Sequence, residues 1–290
     1  MKNAKVVFQE IVDLITLQED QDEIHGMVQI LLEHSLGISK TDVMAGKVVS
    51  VTPEMEHRLQ NYVDRINRHE PVQYVVGEAY FYGRKFQVNP SVLIPRPETE
   101  ELIGMVLFWK YSGKELTIRM NPRILDIGTG CGCVPITLRL EWPGAELFAT
   151  DISTAALSVG VGNAEMYGVS VNFIEHDILN EKIPLANLDV IVSNPPYIAE
   201  SERSAMRSNV LDFEPHLALF VPDDDPIVFY REIARKSRPV LNTGGLLAVE
   251  INERFGNEVA ALLLENGFTD VEVVRDVSGK QRVVKGIALP

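Results

Sequence analysis

Up to about residue 75, apolar positions recur at helical spacing. Val6, Val7, Ile11, Leu14 and Ile15 form one stripe, and Met27, Ile30, Leu31 and His34 another. Thr52-Pro53-Glu54 is a helix start, with Thr as cap and Pro in the first turn. The polar segment after it carries an apolar stripe and stops at Pro71. Residues 80–95 change character: aromatic and β-branched residues flank Gly83, the pattern of a hairpin or two short strands. A helix is expected from Glu98, capped by Arg-Pro-Glu-Thr. From Arg123 onward strand and helix patterns alternate. Strands are expected at 124–127, 146–151, 171–175, 188–193, 246–251, 271–276 and 282–288. Helices fill the gaps at 133–141, 153–167, 226–241 and 254–266. Such alternation predicts an α/β fold, a mainly parallel sheet covered by helices on both faces. The short turn at Ser278-Gly279-Lys280 can join only antiparallel strands, so the sheet ends in an antiparallel hairpin.

Composition then narrows the class. Hydrophobic residues make up 46% of 290, enough for a sizeable core. The formal charge of −14 repels phosphate backbones and lowers the expectation of a nucleic-acid partner. No apolar run approaches the roughly 20 residues that cross a bilayer. The opening residues carry Glu10 and Asp13 and no signal-peptide pattern, so a cytoplasmic location is expected. Two cysteines two residues apart, Cys131 and Cys133, exclude a disulfide framework and are expected to be buried packing. The six histidines show no metal-ligand spacing, and no metal is expected.

Two motifs carry chemistry. Residues 124–132 read Ile-Leu-Asp-Ile-Gly-Thr-Gly-Cys-Gly, an apolar strand running into a turn with alternating glycines. Glycines let a backbone turn sharply and approach a ligand. Asp126 ahead of them would repel a pyrophosphate but suits the cationic amino-acid end of S-adenosylmethionine. Asp151, with Ile152 beside it, closes the next strand, where a carboxylate accepts hydrogen bonds from ribose hydroxyls. Asp177 closes the third strand, a place suited to the adenine amino group. Singly, Asp126 is equally a turn cap and Asp151 a helix cap; at the ends of successive strands they make one crevice.

The second motif is Asn194-Pro195-Pro196-Tyr197, closing a hydrophobic strand. The prolines remove two backbone donors and fix the turn. The Asn194 side-chain oxygen and the Pro195 carbonyl are suited to accept the two N–H groups of a planar, poorly nucleophilic NH2, and Tyr197 to pack on its flat face. That is catalysis by positioning rather than by a strong base. The same logic serves adenine, guanine and glutamine amide nitrogens.

Three stretches resemble the HemK/PrmC family. They are residues 81–103, with Leu-Ile-Pro-Arg-Pro-Glu-Thr-Glu at 93–100 as the most diagnostic part, residues 126–138, and Ser-Asn-Pro-Pro-Tyr-Ile at 193–198. Residues 210–220 resemble the family's segment after that turn. The resemblance implies a Rossmann-like class I methyltransferase with S-adenosylmethionine as methyl donor. It implies N5-methylation of the glutamine in the Gly-Gly-Gln motif of class-one peptide chain release factors. By position, Gly128, Thr129, Gly130, Cys131, Gly132, Asp151 and Asn194 match the family's cofactor contacts, and Asn194, Pro195, Pro196 and Tyr197 its glutamine-binding turn. Ile178 departs from members that carry Trp there. The implied layout is a helical substrate-recognition domain at 1–75, a linking hairpin at 76–100 and the methyltransferase domain at 101–290. Arg96 and Glu98 suit a structural clamp between the domains, and Glu214 a brace for the Asn-Pro-Pro-Tyr loop. The alternatives are an amino-methyltransferase of adenine or guanine in nucleic acid, and a cofactor-binding module without catalysis. A monomer is the simplest expectation.

Overall fold

The computed structural model describes residues 1–111, 121–276 and 278–289. The chain forms two compact units, Met1–Glu78 with Arg207–Phe213, and Ala79–Met206 with Glu214–Pro290.

In the first unit a short ladder pairs β1 (Lys2–Asn3) with β2 (Val48–Val49). Five helices complete it: α1 (Ala4–Val12), α2 (Gln21–Leu36), α3 (Lys40–Ala45), α4 (Pro53–Ile66) and α5 (Val72–Val76). Four begin on a side chain that accepts an otherwise unpaired helix N–H: Asn3, Asp20, Ser39 and, as expected, Thr52. The core holds Val7, Ile11, Val28, Leu31, Leu32, Val63 and Ile66. Val6 and Leu14, expected in the stripe, are exposed instead, and Ala4 and Val12 take the buried positions. Helix α4 ends at Ile66, before Pro71. Asn67 there accepts from Thr16 N–H and donates to the Leu14 carbonyl, so it serves the neighbouring loop.

The second unit opens on a hairpin of β3 (Glu78–Phe81) and β4 (Arg84–Gln87). Its turn residues Tyr82 and Gly83 both have positive φ, 50° and 70°, which matches the twist of a two-residue hairpin. A 3-10 turn at Pro97–Thr99 precedes α6 (Glu100–Tyr111). Then come β5 (Arg123–Ile127), α7 (Cys133–Glu141), β6 (Glu146–Asp151), α8 (Thr154–Tyr167), β7 (Asn172–Glu175) and β8 (Leu188–Ser193). Strand β9 (Ile198–Ala199) follows, then α9 (Ser208–Leu211) in the segment belonging to the first unit, and β10 (Phe220–Val221), which pairs with β9. The chain closes with α10 (Val228–Ser237), β11 (Leu241–Glu250), α11 (Gly256–Glu265), β12 (Phe268–Arg275) and β13 (Gln281–Ala288).

The seven-stranded sheet has the order β12-β13-β11-β8-β5-β6-β7. Only β13 runs against the others, so the expected antiparallel C-terminal hairpin is present. Strand β11 begins at Leu241, earlier than the pattern indicated, with an irregular register before Leu246. Gly244 and Gly245 interrupt the apolar run there, which hid the first half of the strand. The preceding helix accordingly ends at Ser237 rather than at 241.

Parallel strands covered on both faces bury successive residues. Leu125, Ile127, Ile191, Leu247 and Val249 share a core with Tyr230, Ile233, Val259 and Leu263 from α10 and α11. Ile124, Val190, Val192, Leu246 and Ala248 alternate with them and are also buried. One amide ties the hairpin to the glycine turn. Asn163 of α8, fully buried, accepts from Gln87 N–H at 2.7 Å and donates to the carbonyls of Gln87 and Cys131 at 3.0 and 2.9 Å. Asn163→Ala is expected to lower unfolding stability by about 2–4 kcal/mol, since three hydrogen bonds go and the buried Cys131 carbonyl stays unpaired. Urea unfolding measures it, and a loss below about 1 kcal/mol would refute the role.

Candidate active site

The carboxyl ends of β5, β6 and β8 open on one cavity of about 1020 Å³, including its mouth. Of the residues singled out in the sequence, Gly128, Gly130, Asp151, Ile152, Asp177, Asn194, Pro195 and Pro196 line it. The two motifs meet because β5 and β8 pair in parallel with Ile127 opposite Ser193. The Ser193 hydroxyl donates to the Ile127 carbonyl at 2.7 Å. A Cβ on Gly128 (φ 73°) would stand 3.9 Å from the Asn194 carbonyl, so glycine turn and proline turn face each other closely.

Asp151 is built as a bidentate acceptor. Its Oδ2 accepts from Gly130 N–H and its Oδ1 from Ser153 N–H, both at 2.9 Å. Each oxygen keeps lone-pair capacity for a further donor. Burial pushes its carboxyl above the ordinary range, and these backbone N–H groups pull it back. Asp177 sits in a different environment. Its oxygens are taken by Leu179 N–H and the Asn180 side chain, and that hydrogen bonding holds it below its ordinary value despite some desolvation. The wall beside it is apolar, with Ile178, Leu179 and Phe229. Lys236 supports this wall from behind, its buried ammonium donating to the carbonyls of Ile178 and Leu179.

Five of the singled-out residues do not line the cavity: Asp126, Thr129, Cys131, Gly132 and Tyr197. Asp126 lies beneath the glycine turn, 2% exposed, and its Oδ2 has no hydrogen-bond partner among the described residues. Burial pushes its carboxyl up to about 7, opposed by Thr129 and reinforced by the charge of Asp151. Gly132 begins α7 and serves packing: an added Cβ would meet Ile136, Gly160 and Phe173 at 3.1–3.4 Å. Cys131 and Cys133 are buried and free. Tyr197 packs partly into the α10–α11 core. Burial, and then the charge of Glu250, push its phenol upward.

Several residues at the site were not anticipated. Glu250 closes β11 at the same edge of the sheet and is 2% exposed. Its Oε2 accepts from Thr99, whose oxygen in turn accepts from the Asn194 side chain. The rule that parallel strands present ligand groups at their carboxyl ends points to Glu250; no sequence signal marks Thr99 as its partner. Arg96 pairs with Glu214, whose side chain is 1% exposed, and Glu214 also accepts from Ile94 N–H at 3.4 Å. The clamp therefore lies inside the second unit. Glu98 faces Arg282 at 3.8 Å.

Two family models match the chain, the PrmC N-terminal domain over residues 16–77 and the methyltransferase small domain over 114–212. A release factor glutamine methyltransferase of Bacteroides thetaiotaomicron is 40% identical over 91% of this chain and 92% of its own length. One from Bacillus cereus is 37% identical over 92% of this chain and 94% of its own. The chain belongs to the release factor glutamine methyltransferase family. Among solved structures, a methyltransferase from Pyrococcus furiosus shares the fold, with TM-score 0.52 at 17% identity, over 80% of this chain and all of that one. The catalytic domain of hMettl16, solved in complex with the MAT2A 3′UTR hairpin 6, gives 0.55 at 14% identity, over 85% and 88%. At such identities the likeness concerns the fold alone. It is the class I methyltransferase fold that the sheet order displays. Among the described residues no group of His, Cys, Asp or Glu could hold a metal ion, and no helix is long and apolar enough to cross a membrane.

The Arg96–Glu214 pair holds residues 94–96 against the segment after the proline turn. Arg96→Met leaves a buried carboxyl without its cation, and Arg96 itself is 35% exposed. Discounted for that exposure, the expected loss is about 2–3 kcal/mol, measured by urea unfolding, with part recovered when Glu214→Met is added.

Proposed function

We propose that this chain methylates the side-chain amide nitrogen (N5) of the glutamine in the Gly-Gly-Gln motif of class-one peptide chain release factors. The observation that carries the reading is the close facing of the glycine turn and the Asn-Pro-Pro-Tyr turn across one cavity. The methyl donor is S-adenosylmethionine, and the residues present fit it. Asp151 has lone pairs to spare for a vicinal diol at a strand end. The glycine turn leaves backbone open to the cavity, and Ile152, Ile178 and Phe229 offer flat apolar surface. The unpartnered Asp126 Oδ2 beneath the turn suits a cationic group reached through water. Thr129, Cys131 and Gly132 shape the turn, and Asp177 borders the base. When bound, S-adenosylmethionine supplies an electrophilic methyl group on a sulfonium.

The remaining work is positioning. Asn194 Oδ1 and the Pro195 carbonyl each accept one N–H of the acceptor amide. Both prolines keep that carbonyl rigid, since φ is fixed and no N–H competes for it. Held in this way, the amide nitrogen turns its lone pair toward the methyl carbon; as the N–C bond forms, the sulfonium S–C bond would break with its electron pair left on the resulting thioether, and one N–H proton would pass to water. Preorganised acceptors cost no reorganisation at that moment. Tyr197 anchors the turn by packing into the core beside Glu250 rather than by closing over the substrate. The helical unit at the N-terminus grips the protein substrate. The protein works as a cytoplasmic monomer without stably bound nucleic acid; a formal charge of −14 favours a protein over a phosphate backbone.

The test offers labelled S-adenosylmethionine with unmethylated release factor, DNA and RNA in parallel. Tandem mass spectrometry is expected to find one added methyl on the Gly-Gly-Gln glutamine; label in nucleic acid alone would overturn the substrate and keep the donor. Asp151→Ala is expected to weaken donor binding first, by about 1.5–3 kcal/mol for each charge-assisted hydrogen bond lost. Calorimetry measures it, and an unchanged dissociation constant removes Asp151 from the ribose role.

A further inference from the structure

The chemistry above needs the oxygen of the Asn194 amide, not its NH2, to face the reacting nitrogen. Two donors facing each other would repel. Nothing in Asn194 itself decides which way its amide lies. Its neighbours decide. Thr99 Oγ1 stands 2.7 Å from Glu250 Oε2 and 3.0 Å from the Asn194 side-chain nitrogen. A threonine hydroxyl has one proton, and an ionised carboxylate can only accept. The Thr99 proton therefore goes to Glu250, and its lone pair is left for Asn194. Only Nδ2 can donate to that lone pair. Oδ1 is then the free end of the amide, with no protein partner among the described residues, on a side chain that lines the cavity.

We propose that Thr99 and Glu250 are positioning residues for methyl transfer, a two-member relay that locks the Asn194 amide with its oxygen toward the acceptor nitrogen. The proposal rests on the role of Asn194 given above. Three structural origins converge to build it. Thr99 ends the 3-10 turn before α6, Glu250 closes β11, and Asn194 follows β8. All three belong to the second unit. Thr99 is 4% exposed and Glu250 2%, so water does not compete for the bond between them. A buried carboxyl kept for stability alone is a poor bargain, because desolvating it costs more than one neutral hydrogen bond returns.

The polarity of the relay depends on Glu250 being ionised. Burial pushes its carboxyl up to about 7; Glu98 reinforces this, while Thr99, Arg282 and Tyr197 oppose it. Tyr230, also buried, feels the Glu250 charge from α10. Protonated Glu250 would itself carry an O–H donor. It would then donate to Thr99, whose proton would turn to Asn194 and reward the flipped amide. The working form is the ionised one, so turnover falls as the pH falls through about 7.

The test uses the full chain, labelled S-adenosylmethionine and unmethylated release factor under single turnover. Thr99→Val keeps shape and removes the hydroxyl. It is expected to slow transfer by about tenfold or more, with the donor dissociation constant moved by less than about threefold. Thr99→Ser restores the hydroxyl and is expected to restore the rate. In an Asn194→Ala background, Thr99→Val is expected to add less than about twofold, because the residue it acts through is gone. An equal loss in both backgrounds, or a wild-type rate for Thr99→Val, overturns the relay. A wild-type rate for Asn194→Ala overturns the role of Asn194 itself, and the relay with it. Glu250→Gln keeps the proposal open to refutation should Thr99→Val not fold. The wild-type rate is expected to break near pH 7 and the variant to lose that break; the same break in both sinks the assignment.

Discussion

Parallel pairing of β5 with β8, with Ile127 opposite Ser193, is the constraint on which the site depends. Parallel strands carry their chain ends to the same edge, so whatever follows residue 127 must confront whatever follows residue 193. The Ser193 hydroxyl closes this register from the side by donating to the Ile127 carbonyl. A slip of one residue would turn buried Asp126 and Val192 to the opposite face and separate the two turns. The glycine motif and the proline motif are thus one object divided by sixty-odd residues of sequence, joined by the hydrogen bonds of a central strand pair.

Around this edge the fold gathers buried carboxyls: Asp126, Glu214 and Glu250 are each under 5% exposed, and burial raises all three. Each is handled differently. Glu214 has a guanidinium, Glu250 has hydroxyls, and Asp126 keeps an oxygen without a partner among the described residues. Isolated charges in such surroundings destabilise a fold unless paired. A cationic ligand recovers part of that cost when it binds, so ligand affinity and fold stability are linked through the same groups. In a chain with a formal charge of −14, a cationic small molecule is the ligand that the local field favours.

Much of this was legible in the residues. The strand–helix alternation after Arg123 located every strand of the large sheet: the central parallel strands β5 and β8 are written as apolar runs, and the edge strand β12 as an apolar–polar alternation. The reversed last strand followed from the brevity of one turn. The cavity-lining glycines and Asn194 were visible because turn chemistry is local. What stayed hidden is what the chain brings together from afar. Thr99 and Glu250 are separated by 151 residues, and Arg96 and Glu214 by 118. Neither pair leaves a periodicity. Tyr197 is a mixed case: its place in the motif points to the substrate, while its ring packs partly against the core that α10 and α11 share and lies outside the residues lining the cavity. At Gly132 a side chain would meet Ile136, Gly160 and Phe173, a packing constraint that the motif itself does not reveal.

Asn163 imposes a restriction on how this chain can vary. One buried side chain must accept from the Gln87 N–H and donate to two carbonyls, those of Gln87 and the buried Cys131. Aspartate has the shape but no N–H to donate to either carbonyl, serine has the reach of neither end, and glutamine is one methylene longer than the buried site holds. Deamidation would be a lesion of the same kind, turning two attractions into two repulsions between oxygens. Position 163 is therefore a site where drift is closed, and where the hairpin and the glycine turn must be inherited together.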